Sequence, residues 1–72
     1  MESIMDDPYW VRAYEAEDGT GRIAGYAVER SGPTGQAELD SDFPADPIGD
    51  LVARNVALAA AEARRDELNA GL

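Results

Sequence analysis

The spacing of apolar positions divides the chain into strands followed by one helix. From Tyr9 to Glu17 the run YWVRAYEAE is rich in aromatic and β-branched residues and predicts a strand. Asp18-Gly19-Thr20-Gly21 follows, with glycines free to take positive φ, and predicts a hairpin turn. RIAGYAVER, Arg22 to Arg30, is the second strand, and Ser31-Gly32-Pro33-Thr34-Gly35 is a second turn cluster. From Gln36 to Phe43 apolar and polar residues alternate, which predicts a short third strand. Asp46-Pro47 then reads as an N-cap with proline in the first helical position. Ile48, Leu51, Val52, Val56, Ala59 and Ala63 fall on one arc of the helix, with Leu58 at its margin. Asp50 and Arg54 are spaced for a helical ion pair, and Gly71 stands where a helix ends. The expected fold is α+β: a three-stranded antiparallel meander with a C-terminal helix on one face, β-β-β-α. It occupies a single domain over 1–72, with 1–8 frayed, the sheet at about 9–43 and the helix at about 47–70.

Pairing Glu17 with Arg22 at the hairpin end sets the register and therefore the two faces. Tyr9, Val11 and Ala13 then share a face with Ala24, Tyr26 and Val28, extended by Ala37, Leu39 and Phe43. This face is assigned to the helix, so Val11 and Val52 are both expected in the core. The other face receives Trp10, Arg12, Tyr14 and Ala16, then Ile23, Gly25, Ala27 and Glu29, with Tyr14 over Gly25. Glu38, Asp40 and Asp42 join it from the third strand.

Charge changes the picture. Six basic residues, all Arg, stand against fifteen acids, and the net charge is −9. That disfavours direct contact with nucleic acid or an anionic membrane, and it favours a basic protein partner. Trp10, Arg12 and Tyr14 are of the types that anchor interfaces. Carboxylates two apart on a strand lie about 6.5–7 Å apart on one face, so Glu38, Asp40 and Asp42, extended by Asp46 and Asp50, would present a phosphate-like row. The expected protein-binding residues are Trp10, Arg12, Tyr14, Glu29, Glu38, Asp40, Asp42, Asp46 and Asp50. Ala53, Ala57, Ala60 and Ala61 form a strip of small residues on the helix face away from the sheet, a candidate homodimer surface.

Catalytic material is scarce. With no Cys and no His, thiolate nucleophiles, imidazole bases and the usual zinc sites are absent from the sequence. Asp40 with Asp42, or Glu15 with Glu17, are the only acid–base pairs, and no pocket is predicted around them. Asp40-Ser41-Asp42 begins like a calcium loop but lacks the later ligands, and Gly19-Thr20-Gly21 misses the dinucleotide spacing. The expectation is a non-enzymatic protein with no cofactor, no metal and no catalytic residues. The N-terminus carries acid where a leader needs base, and no stretch is long and apolar enough to span a bilayer, which predicts a cytoplasmic location.

The order of a Tyr-led strand, the acidic turn Glu17-Asp18-Gly19, the Gly25-Tyr26 strand and an Ala-rich helix resembles the N-terminal part of HicB-like antitoxins. The resemblance spans Tyr9 to about Arg65 as element order. It implies a subunit that neutralises a small RNA-cleaving toxin. The family's apolar segment before the helix is replaced here by AELDSDFPAD, and the chain ends before a DNA-binding tail would begin. The leading expectation is an inhibitor that masks a basic surface on a nuclease, CRISPR effector, repressor or toxin. A phage or mobile-element anti-CRISPR or anti-restriction protein imitating nucleic acid is its most concrete form. The alternatives are the antitoxin-like subunit and a homodimeric assembly protein.

Overall fold

In the computed structural model, which describes residues 8–71, three antiparallel strands form one sheet and a single helix crosses it. The strands are β1 (Tyr9–Glu15), β2 (Ile23–Ser31) and β3 (Ala37–Pro44), in the order β1-β2-β3, and the helix is α1 (Leu51–Ala70). The fold is the expected β-β-β-α meander. The expected fraying of residues 1–8 falls, except for Pro8, outside the described residues.

Along most of β1 and β2 the register is the one expected. Tyr9 lies opposite Arg30, Val11 opposite Val28, and Tyr14 opposite Gly25. The hairpin end departs from it. A shift between Tyr14 and Glu15 places Glu15 opposite Ile23, and the Ala16 amide donates to the Arg22 carbonyl, so Glu17 and Arg22 are not paired. Asp18 organises the turn instead. Its carboxylate accepts from the Thr20 amide (3.0 Å), the Thr20 hydroxyl (2.6 Å) and the Arg22 guanidinium (2.8 Å). These donors, the Thr20 hydroxyl foremost, hold the Asp18 carboxyl down to about 2.

The third strand carries the larger correction. Val28 pairs with Ser41 and Glu29 with Leu39, which leaves Asp40 as an extra residue in a β-bulge. An extra residue reverses the alternation of side chains beyond it. Phe43 keeps to the helix side, opposite Tyr26, as expected. Leu39, expected in the core, is instead 62% exposed, and Ala37 is exposed as well. Asp40 and Glu38, expected on the outer face, turn to the helix side. Asp40 accepts from Arg64 of α1 at 3.1 Å, and Glu38 pairs with Arg30 at 3.6 Å.

The helix starts later than Asp46-Pro47 predicts. Gly49 takes φ of +92°, a left-handed conformation that a helix cannot propagate through. Asp50 is therefore the N-cap, and its carboxylate accepts from the Ala53 amide at 2.9 Å. The expected ion pair between Asp50 and Arg54 does not form among the described residues. Gly71 ends the helix as expected, its amide donating to the Glu67 and Leu68 carbonyls.

The helix is also rolled by roughly a third of a turn from its expected orientation. Ala57 and Ala61 are buried against the sheet, with Ala53, Ala60 and Leu68 half-buried beside them. The strip of small residues thus lies on the sheet side of α1, and not on the face away from the sheet as expected. Val28 of β2, fully buried, lies on the sheet side of the seam between helix and sheet. The arc expected to face the sheet looks outward: Val52 is 71% and Val56 64% exposed, and Ile48, Leu51, Ala59 and Ala63 are exposed too. Polar contacts fix the roll. Arg64 reaches Asp40, and Asn69 accepts from the Tyr9 amide at 3.1 Å while donating to the Tyr9 carbonyl at 3.3 Å. Among the described residues no helix is long and apolar enough to cross a membrane.

Candidate protein-binding surfaces

The outer sheet face brings five of the nine expected binding residues together. Alternation along β1 and β2 puts Trp10, Arg12 and Tyr14 beside Glu29, and β3 contributes Asp42. Their polar groups are already partnered. The Arg12 guanidinium holds Glu29 through two contacts, Nε at 3.0 Å and a terminal nitrogen at 2.9 Å. Glu29 is only 7% exposed, and this hydrogen-bonded cation keeps its carboxyl below the usual range despite burial. The neighbouring Trp10 indole shifts Glu29 in the same direction.

Tyr14 spans the sheet. Its ring lies over Gly25 and its hydroxyl donates to Asp42 at 2.5 Å, linking β1 to β3 across β2. The Arg12 guanidinium sits 6.0 Å from the ring centroid. Burial, and then the hydrogen bond to the Asp42 carboxylate, push the phenol up to about 12. The consequence for stability has a definite sign. Above pH about 10 an unfolded tyrosine ionises while folded Tyr14 keeps its proton. Its contribution is complete below that pH and is lost as pH rises through about 12. In urea unfolding at successive pH values, the stability difference between the wild type and Tyr14→Phe should therefore shrink over this alkaline window. A constant difference there would mean that the phenol has no special environment.

The remaining four expected residues do not join this face. Glu38 and Asp40 are turned to the helix side by the bulge, so the evenly spaced row of carboxylates is broken. Ser41 and Arg64 hydrogen bonds hold the Asp40 carboxyl below its usual range. Asp46 and Asp50 lie beyond the sheet, next to a different feature.

That feature is a groove of about 530 Å³ running between α1 and the end of β3. Phe43, Pro44 and Pro47 form one side, and Val52, Val56 and Ala60 the other. Asp42, Asp46 and Asp50 are the charged residues of its lining, and no Arg lines it. Sequence reasoning missed Val52 and Val56 as surface residues because it placed the bulkiest helix arc inside. The signal was present in Asn55, Glu62 and Asp66, which interrupt that arc and are all exposed. The Ala53–Ala57–Ala60–Ala61–Leu68 strip has Arg64 as its one charged intruder, and Arg64 is bonded to Asp40. Among the described residues no three acidic side chains converge as a metal site. Comparison with protein-family models, curated proteins and solved structures found no match to the chain.

Proposed function

We infer that this protein is a non-enzymatic, acidic binding module of the cytoplasm that masks a basic surface on a nucleic-acid-handling protein. The observation that carries this reading is the charge balance: a net charge of −9 on 72 residues. Few cations are free to offset it locally. Arg12, Arg22, Arg30, Arg64 and Arg65 each pair with an acid, and among the described residues Glu15, Glu17, Asp46 and Glu62 face solvent outside these pairs. Such a surface attracts a basic partner at long range, accelerates its approach and repels nucleic acid itself. The broken carboxylate row argues for charge-steered binding rather than for imitation of phosphate spacing. The β-β-β-α order favours one particular form of this reading, an antitoxin-like subunit whose partner is a small basic toxin.

Affinity capture from a nuclease-treated lysate at low salt tests the proposal. Basic nucleic-acid-binding proteins should be retained and should elute as ionic strength rises toward physiological values and above, because screening shortens the reach of the acids. Recovery of none, or retention that ignores salt, would overturn it.

A further inference from the structure

The groove beside the helix is mostly apolar, and its lining identifies what would fill it. Val52, Val56 and Ala60 recur four residues apart, so they form a straight ridge along α1. Ala59 and Ala63, both small and exposed, lie beside the ridge and permit close approach of another helix. Phe43 and Pro44 of β3 close the far side. Leaving Val52 and Val56 largely in water is unfavourable for the isolated domain, and covering them would recover that loss.

The charges decide the occupant. Asp42, Asp46 and Asp50 border the groove without a cation among its lining residues. Asp46 has no hydrogen-bond or ion-pair partner among the described residues, and the Asp50 side chain accepts only from the Ala53 amide of α1 among them. A second copy related by a twofold axis would bring the same three carboxylates toward one another in a chain already at −9. A helix with one apolar face flanked by Arg or Lys meets both demands, filling the groove and neutralising its rim. We propose that the groove between α1 and β3 is the docking site for a cationic amphipathic helix of a partner protein. This rests on the charge-based reading above and adds where the partner binds and in what form.

The test uses the full chain and two synthetic peptides of identical Leu and Arg composition. In one, Leu recurs at i and i+4 on a single helical face; in the other the order is scrambled. Fluorescence anisotropy of the labelled peptides should show the patterned peptide binding more tightly. Val52→Ser/Val56→Ser should weaken it about tenfold or more. Both positions are exposed, and circular dichroism should confirm that the double variant stays folded. Asp46→Asn should weaken binding less and flatten its salt dependence, while Trp10→Ala should leave it unchanged. Equal, salt-sensitive binding of both peptides, or no effect of the double variant, would overturn the groove while leaving the charge-based reading standing. Failure of both peptides to bind at low salt would overturn the groove and the charge-based reading together. Sedimentation showing a dimer that Val52→Ser/Val56→Ser dissolves would assign the groove to a second copy and overturn the proposal.

Discussion

Ala61→Leu is expected to destabilise the domain by about 1–3 kcal/mol, while Val52→Asp on the same helix should change its stability by only about 0.5 kcal/mol. The contrast follows from the roll of α1. Ala61 has no exposed surface and stands in the seam between helix and sheet, where Val28 is also fully buried. A leucine there must push the helix off the sheet or adopt a strained rotamer, because a close-packed seam has no room for three more carbons. Val52 is 71% exposed, so an aspartate in its place keeps its hydration. In a domain of this size the whole stability is a few kcal/mol, so the first change removes a large share of it. Urea unfolding followed through Trp10, the single tryptophan, measures both variants. The opposite ranking would mean that the Val52–Val56 arc faces the sheet.

Local pattern made the strands legible. The aromatic and β-branched content of β1, the glycine-containing turns and the alternation in β3 located all three to within about two residues, the usual uncertainty of element ends. Register was legible too: Tyr14 covering Gly25 is the expected pairing and the observed one. The bulge at Asp40 was not, because nothing in AELDSDFP marks one residue as extra. Its effect reached the site, since it sent Glu38 and Asp40 to one face and left Asp42 on the other.

The helix roll was hidden for a different reason. Summed hydrophobicity favours the arc with Val52 and Val56, and a reading that buries the most apolar surface will choose it. Packing chose closeness instead. The helix-side face already carries Tyr26, Val28 and Phe43, and small residues let α1 settle onto it. Arg64 and Asn69 then found partners in Asp40 and the Tyr9 backbone, bonds between elements far apart in sequence that no local pattern announces. The candidate groove exists because of this choice. Its apolar side is the arc that sequence reasoning placed inside.

Gly25→Ala should cost about 1–3 kcal/mol, and its cause can be separated by a second substitution. A Cβ at Gly25 would stand 2.6 Å from the Tyr14 ring carbon that bears the hydroxyl and 2.8 Å from the Pro44 Cα, both well inside van der Waals contact. The Tyr14 ring cannot simply swing away, because its hydroxyl is tied to Asp42. Gly25 is needed here for the closeness of its neighbours, since its backbone is not among those with positive φ. Tyr14→Ala would remove the ring and leave the Pro44 backbone in place. The double variant Gly25→Ala/Tyr14→Ala should therefore be less destabilised than the two single changes together, with a coupling of about 0.5–3 kcal/mol. Additive costs would show that the phenol does not lie over Gly25. Complete relief would show that the approach of Pro44 is not tight, and that β3 can move away from β2 at this end of the sheet.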